Sequence, residues 1–284
     1  MKLTDIRDIK ALLQRHGFHF SKSMGQNFLI EDWVPQDIAH SAGLDGDTGV
    51  LEIGPGIGPL TQQLALRAGK VAAIELDRSL LPILAETMAD HPNVTIVPGD
   101  AMKLDLPQLV REQFSACRTV KACANLPYNI TTPVITRLLE AGCFQSITVM
   151  IQREVARRIC AGPESSDRGA FSLFCQYYAR CEYLFEVPPQ CFLPAPKVTS
   201  AVVQLTPLAA PPVSAEPEAL FAVIKAAFAQ RRKTLLNTLS SAYGARFSKE
   251  QLRQLIVDCG LPETVRGERL TLEQFAQLAQ ALHA

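Results

Sequence analysis

The sequence lacks long hydrophobic runs. No segment approaches the ~20 consecutive apolar residues that a membrane-spanning helix needs, and the first ten residues carry charges where the apolar core of a secretion signal would lie. We therefore expect a cytoplasmic protein with no membrane partner. Of the 284 residues, 48% are hydrophobic, which is enough for a large domain with a substantial core and a smaller second domain.

Metal-site signatures and an excess of positive charge are missing as well. The eight cysteines include no C-x-x-C pair, and no group of cysteines and histidines has the spacing of a zinc site. This pattern indicates free thiols and no bound metal. The 28 Lys and Arg residues balance 28 Asp and Glu residues, so the formal net charge is zero. Any binding to a polyanion must then depend on local basic clusters.

The strongest local signal is a glycine-rich turn that follows an apolar segment. Residues 50–53 predict a buried parallel strand, and Gly54 and Gly56 come directly after it. Glycines there allow a tight turn and a close approach of the backbone to a ligand. The next predicted strand, residues 71–74, leads into Glu75, whose carboxylate can accept hydrogen bonds from both hydroxyls of a ribose. This unit indicates a site for an adenosine-containing cofactor.

The details of the turn favour S-adenosylmethionine over a dinucleotide. Gly58 comes one residue earlier than the third glycine of the dinucleotide fingerprint G-x-G-x-x-G, and Pro55 lies inside the turn. Glu52 stands just before the turn, where a carboxylate would repel a pyrophosphate but could face a sulfonium or an ammonium. A purely structural glycine turn is the alternative.

A third acidic residue, Asp100, follows a further predicted strand at residues 94–97. Its carboxylate could bind the adenine amino group of the donor, although Asp after Gly is also ordinary turn chemistry. Together with the strands predicted at 50–53, 71–74 and 120–124, this strand would end at one edge of a parallel sheet. Ligands of open α/β sheets bind at that edge.

Residues 125–130, Asn-Leu-Pro-Tyr-Asn-Ile, can hold a flat ring that bears an amino group. The ring would lie against Tyr128, while the Asn125 side chain and the Leu126 carbonyl accept hydrogen bonds from the amino group. The alternative is a rigid turn at Pro127 with a half-exposed tyrosine. Methyl transfer from a sulfonium depends on alignment and on exclusion of water, so we assign no acid–base residue.

Motifs along nearly the whole chain carry a resemblance to a known family. They are KSMGQNFL at 22–29, LEIGPGIGPLT at 51–61, IELD at 74–77, GDA at 99–101, NLPYNITTP at 125–133, MIQREVARRI at 150–159, QYYA at 176–179, FLPAPKVTSAV at 192–202 and RRKTLLNTL at 231–239. With these motifs the chain resembles the ribosomal RNA adenine dimethyltransferases, specifically their bacterial small-subunit (16S) branch.

The resemblance implies a set of site residues. Those expected to bind the methyl donor S-adenosylmethionine are Asn27, Leu29, Gly54, Gly56, Glu75, Asp100 and Asn125. Those expected at the reaction centre are Asn125, Leu126, Pro127, Tyr128 and Phe192, and the rings of Tyr128 and Phe192 would stack on the target adenine. For Phe192, which precedes two prolines, a hydrophobic lid is the alternative.

The implied fold is α/β. A Rossmann-like class I methyltransferase domain with a seven-stranded, mostly parallel sheet is expected at 1–207, together with an N-terminal helix and a loop that covers the donor. A small, all-helical RNA-binding domain is expected at 208–284. The pattern predicts a helix at 4–16, strands at 181–187 and 198–205, a Pro-rich linker at 207–217, and helices at 218–229, 232–241, 248–258 and 271–282.

Two basic clusters are candidate contacts with RNA phosphates. One lies in the first thirty residues and includes Lys22, and the other is formed by Arg231, Arg232 and Lys233. A third group, at residues 153–158, is equally well explained as a solvated helix face. Phosphate contacts predict an affinity that falls steeply with salt concentration.

These features predict an enzyme that dimethylates the exocyclic amino group of adenines in small-subunit ribosomal RNA during ribosome biogenesis. We expect it to act as a monomer on ribosomal RNA within an immature small subunit. One alternative is the antibiotic-resistance type of enzyme, which acts on large-subunit RNA, and another is a non-catalytic ribosome-assembly factor. A nicotinamide oxidoreductase fits less well, because no catalytic His, Tyr–Lys or Cys constellation accompanies the glycine turn.

Overall fold

The computed structural model describes residues 1–20, 25–230 and 232–283. The chain forms two compact units. The first contains residues 1–156 and 181–207, and the second contains residues 157–180 and 208–284. Each unit has its own hydrophobic core.

The strands of the described residues belong to two sheets. They are β1 (Phe28–Leu29), β2 (Thr48–Ile53), β3 (Lys70–Glu75), β4 (Val94–Pro98), β5 (Thr119–Asn125), β6 (Ile147–Gln152), β7 (Ala179–Val187), β8 (Phe192–Leu193) and β9 (Ser200–Pro207). The main sheet has seven strands in the order β4-β3-β2-β5-β6-β9-β7. Strands β2 to β6 pair in parallel, and β9 is antiparallel to β6. The expected α/β, mostly parallel, seven-stranded architecture is confirmed.

Strand β2 lies at the centre of the sheet. All six of its residues are buried, as is typical of a parallel strand with both faces covered by other elements. Its neighbours are β3 on one side and β5 on the other, so the strand order reverses at β2. In open α/β sheets a crevice forms outside the carboxyl ends of the strands at such a reversal. This topology places a crevice at the ends of β2 and β5.

Strands β1 and β8 form a separate two-residue ladder. They pair antiparallel, with Phe28 opposite Leu193 and Leu29 opposite Phe192. The Ile30 amide extends the pairing with a hydrogen bond of 2.8 Å to the Cys191 carbonyl. The ladder thus brings together two segments that are more than 160 residues apart in the chain.

Helices flank the main sheet of the first unit. They are α1 (Ile6–Arg15), α2 (Trp33–Ser41), α3 (Pro59–Ala65), α4 (Leu81–Thr87), α5 (Leu106–Gln113) and α6 (Thr131–Glu140), and α7 (Arg153–Cys160) begins in the first unit and ends in the second. The side chain of Asp5 caps α1 by accepting hydrogen bonds from the amides of Arg7 and Asp8. The apolar face of α1 is buried through Ile9, Leu12 and Leu13, so the predicted amphipathic helix is confirmed.

The second unit is helical. Its helices are α8 (Ala170–Tyr178), α9 (Pro217–Phe228), α10 (Leu235–Tyr243), α11 (Lys249–Asp258) and α12 (Leu272–His283). Residues 208–216 contain neither helix nor strand, in agreement with the predicted linker.

The predicted assignment of all residues up to 207 to the first domain is wrong for one segment. Residues 157–180 belong to the second unit. The reason is burial: Leu173 and Tyr177 of α8 lie in the core of the helical unit. The buried Arg168 guanidinium also donates hydrogen bonds to the carbonyls of Glu268 and Leu270.

Among the helices of the described residues, we find none that combines the length and the apolar character needed to cross a bilayer.

Candidate active site

A cavity of about 170 Å³ lies at the carboxyl ends of the central strands of the first unit. Its walls come from the segment around β1, from the turns after β2, β3, β4 and β5, and from β8. The main lining segments are residues 25–29, 52–56, 74–77, 99–102 and 125–130, together with Phe192. Every candidate donor-binding and reaction-centre residue named above lines this cavity.

The glycine turn after β2 requires residues without a side chain. Gly54, Gly56 and Gly58 have φ values of 71°, 63° and 98°, in the left-handed region that favours glycine. A Cβ atom on Gly54 would meet no heavy atom within 4 Å, so the turn faces open space there. A Cβ atom on Gly56 would lie 3.3 Å from the Phe28 ring. The turn therefore presents bare backbone to the cavity.

Glu75, the last residue of β3, holds its carboxylate against this turn. Oε1 accepts a hydrogen bond of 2.8 Å from the Asp77 amide, and Oε2 accepts one of 3.3 Å from the Gly56 amide. Burial raises the pKa of Glu75, and these backbone donors offset part of that effect. The carboxylate is thereby fixed at the rim of the cavity.

Asp100 follows β4, and its surroundings are compatible with both roles considered from the sequence, a turn residue and a contact with the donor. Its Oδ1 atom accepts a hydrogen bond of 2.9 Å from the Met102 amide, as in an ordinary turn. The preceding residue, Gly99, donates from its amide to the Glu75 carbonyl at 2.9 Å. Asp100 nevertheless lines the cavity with its side chain only partly exposed, so it can also reach a ligand.

The Asn125–Tyr128 segment begins at the last residue of β5. The Leu126 amide continues the sheet with a hydrogen bond of 3.1 Å to the Met150 carbonyl, and this fixes the direction of the turn. Within the described residues the Asn125 carboxamide makes no hydrogen bond, so it remains available to a ligand. The Tyr128 hydroxyl lies 2.7 Å from the Ser200 hydroxyl, and burial raises the pKa of this phenol.

Asn27, Leu29 and Phe192 reach the cavity through the β1–β8 ladder. Asn27 donates from its side chain to the Gly25 carbonyl at 3.1 Å. The side chains of Leu29 and Phe192 are almost fully buried, with 1% and 3% of their surface exposed. Phe192 thus lines the cavity and also belongs to the hydrophobic core, as the lid interpretation suggested. Stacking of its ring on adenine stays a prediction.

Among the described residues of the basic clusters, Arg232 and Lys233 are not part of the lining of this cavity. Arg232 and Lys233 are exposed residues of the second unit, between α9 and α10. Lys22 and Arg231 lie outside the described residues.

One contact of the site was missed by sequence reasoning. The Gln26 side chain donates a hydrogen bond of 2.7 Å to Asp77, two residues after Glu75. This bond ties the segment before β1 to the end of β3. The motif IELD contains Asp77, but nothing in the motif indicates its partner.

Glu52 differs electrostatically from the other acidic residues of the cavity. It is 1% exposed, and none of the residues that the structure describes forms a hydrogen bond with its Oε2 atom. Burial raises the pKa of Glu52 to about 8, the Thr61 hydroxyl offsets part of this shift, and the charge of Glu75 adds to it. A cationic ligand would satisfy this group. The Glu52 carboxyl, the open space above Gly54 and the free Asn125 carboxamide together fit an adenosine-containing ligand that also carries a positive charge.

The chain is similar to known proteins along nearly its whole length. A family model described as ribosomal RNA adenine dimethylase matches residues 17–283. The chain is 46% identical over 285 residues to Ribosomal RNA small subunit methyltransferase A of Alkaliphilus metalliredigens (strain QYMF), covering 100% of this chain and 99% of that protein. It is 45% identical over 285 residues to the protein of the same name from Streptococcus pneumoniae (strain P1031), covering 99% and 98%.

Two solved structures share this fold over most of the chain. The 23S rRNA methyltransferase ErmE is 26% identical with a TM-score of 0.68, covering 91% of this chain and 100% of that one. A dimethyladenosine transferase from Plasmodium falciparum is 23% identical with a TM-score of 0.70, covering 88% and 95%, and supports the fold alone.

Proposed function

Because the chain belongs to the ribosomal RNA adenine dimethylase family, we propose that it transfers methyl groups from S-adenosylmethionine to the exocyclic amino group of adenines in small-subunit ribosomal RNA. The product is dimethyladenosine, formed during ribosome biogenesis in the cytoplasm. One observation carries the proposal: the glycine turn, its acidic partners and the Asn125–Tyr128 segment line a single cavity. A donor pocket and an amine-binding segment therefore share one space.

The donor end of the cavity is assigned to the turns after β2, β3 and β4. Glu75 would accept hydrogen bonds from the ribose hydroxyls, because its carboxylate is fixed at the end of β3. Asp100 would accept a hydrogen bond from the adenine amino group of the donor. Gly54 and Gly56 leave the room that a close backbone approach needs, and Asn27 and Leu29 close the opposite wall. When bound, the donor supplies an electrophilic methyl group on a sulfonium.

The target end is assigned to the turn after β5. The Asn125 carboxamide oxygen and the Leu126 carbonyl would each accept a hydrogen bond from the amino group of the target adenine, which makes its nitrogen more nucleophilic. Pro127 keeps this turn rigid, and Tyr128 offers its ring as a stacking surface, an interaction worth ~1–3 kcal/mol per base. Because stacking does not distinguish bases, the hydrogen bonds select adenine. The base must be unpaired or flipped out to enter.

Proton removal needs no dedicated group of the protein. The amine proton becomes strongly acidic once the methyl group is attached, so it can pass to water. The contribution of the chain is alignment of the amine with the methyl group and exclusion of water from the line of attack. The nearly complete burial of Leu29 and Phe192 supports such a water-poor wall.

Binding of ribosomal RNA is assigned in part to the second unit. Arg232 and Lys233 are exposed, and we propose that they contact RNA phosphates within an immature small ribosomal subunit. The protein would act there as a monomer.

The test is a comparison of three substrates. The protein and labelled donor are incubated with under-methylated small subunits, free small-subunit RNA and large-subunit RNA, and the label is mapped. We expect dimethyladenosine in small-subunit RNA. Label in large-subunit RNA alone would instead assign the activity of the antibiotic-resistance type, which the likeness to ErmE makes the second candidate. No label in any RNA, despite bound donor, would favour a non-catalytic assembly factor.

A further inference from the structure

The cavity contains one buried carboxyl group with an unpartnered oxygen atom. Glu52 stands two residues before Gly54, at the point where β2 gives way to the turn. It lines the cavity, it is almost completely buried, and its Oε2 atom has no hydrogen-bond partner among the described residues. A buried carboxylate without a partner is unfavourable, so such a group either meets a cation or holds a proton.

Within the part of the chain that the structure describes, the elements packed around Glu52 offer no cation. From β5, its neighbour in the parallel ladder is Cys123, whose thiol has a pKa raised by burial. From α3, the buried Thr61 hydroxyl offsets part of the rise in the pKa of Glu52, but it carries no charge. From β3, the Glu75 carboxyl adds negative charge. The nearby Lys121 directs its ammonium to the carbonyls of Ala42 and Gly43, away from Glu52.

Glu52 therefore holds its proton in the free protein at neutral pH. Burial is the main cause of its raised pKa of about 8. A permanent positive charge placed in the cavity would oppose the effect of burial and lower the pKa of Glu52, because an opposite charge within a few ångströms favours the ionised form. Gly54 lies two residues after Glu52, and the open space above Gly54 can receive such a group.

We propose that Glu52 is the counter-ion for a positively charged group of the bound methyl donor, and that it ionises only when the donor binds, so that binding releases a proton. The carboxyl O–H bond breaks heterolytically, the electron pair stays on oxygen, and the proton passes to the buffer. This inference depends on the proposed function, because it needs a cationic donor.

The experiment is calorimetric titration of the protein with S-adenosylmethionine in three buffers that differ in ionisation enthalpy. The slope of the observed enthalpy against the ionisation enthalpy gives the number of protons released. From a pKa of about 8 we expect about 0.9 proton at pH 7 and about 0.1 at pH 9. Donor binding with no proton release at pH 7 would overturn the inference and leave the proposed function standing. No donor binding would overturn both.

The matched variant is Glu52→Gln, which keeps the shape and the neutral charge of the protonated side chain. It should fold as the wild type does at pH 7 and lose the release of the Glu52 proton. Its affinity for S-adenosylmethionine should fall on the order of tenfold to a hundredfold, the effect of one charge-assisted hydrogen bond. Its affinity for 5′-methylthioadenosine, which lacks both the sulfonium and the ammonium of S-adenosylmethionine, should stay unchanged. Undiminished proton release in this variant would assign the proton to another group and refute the role of Glu52.

Discussion

Tyr128 allows a sharp test of target binding, because its ring and its hydroxyl can be removed separately. The hydroxyl lies 2.7 Å from the Ser200 hydroxyl, and the residue lines the cavity next to Asn125 and Leu126. Tyr128→Ala removes the ring and the hydroxyl, whereas Tyr128→Phe removes the hydroxyl alone. The pair therefore separates stacking on the base from the hydrogen bond to Ser200.

The expected magnitudes follow from these contacts. Stacking on one base is worth ~1–3 kcal/mol, and each 1.36 kcal/mol changes a rate constant tenfold. Tyr128→Ala should therefore lower kcat/KM for RNA by about 5- to 160-fold. Tyr128→Phe loses a hydrogen bond with a net value of ~0.5–1.5 kcal/mol. Because that bond holds the ring and does not touch the base, it should lower the free energy of unfolding by about this amount and leave kcat/KM within about threefold.

The assay is transfer of labelled methyl groups to under-methylated small subunits at subsaturating RNA. The affinity of each variant for S-adenosylmethionine, measured by calorimetry, is the control, and it should equal that of the wild type because the donor end of the cavity is unchanged. A Tyr128→Ala variant with kcat/KM within twofold of the wild type would refute stacking. Equal losses in both variants would show that the hydroxyl, and not the ring, is required.

Three further predictions concern other groups. Asn125→Ala should lower the rate of methyl transfer at least ~100-fold, because the proposed role of the carboxamide is to align the amine. RNA affinity, measured by filter binding, should stay within twofold of the wild type. Retained turnover would remove Asn125 from the mechanism. Between about pH 5 and 8, Glu52 keeps its proton in the native protein and loses it in the unfolded chain. As pH rises through this window, the free energy of unfolding of the ligand-free wild type should therefore fall relative to that of Glu52→Gln, by at most about 1.4 kcal/mol per pH unit. Urea unfolding measures both values, and an equal difference between the two proteins at pH 5 and at pH 8 would contradict this. Replacing Arg232 and Lys233 by Ala should reduce the slope of log affinity against log salt by ~0.7–0.9 per lost phosphate contact, and an unchanged slope would exclude them as such contacts.

Much of the cavity lining proposed as the donor site could be predicted from the sequence because its signals are local. After a buried strand, glycines at 54 and 56 permit a turn with positive φ values, which other residues rarely adopt. Glu75 and Asp100 follow their own strands, and parallel pairing brings strand ends to one edge. The periodicity of α9 to α12 in the second unit likewise gave their positions to within a few residues.

The remaining features depend on partners that are distant in the chain. Strands β1 and β8 have two residues each, so they carry no periodicity that could indicate their pairing. The placement of α8 in the second unit depends on what Leu173 and Tyr177 pack against, and their own sequence does not specify it. The burial of Glu52 is of the same kind, since β3, β5 and α3 must all cover it to shift its pKa.

The β1–β8 ladder couples two walls of the cavity mechanically. Leu29, assigned to the proposed donor end, and Phe192, assigned to the proposed target end, are paired across two strands of two residues each. A movement of either segment must carry the other with it or break the ladder. The dimensions of the proposed donor end and of the proposed target end of the cavity therefore cannot be set independently, and a substitution that widens one end will also change the other.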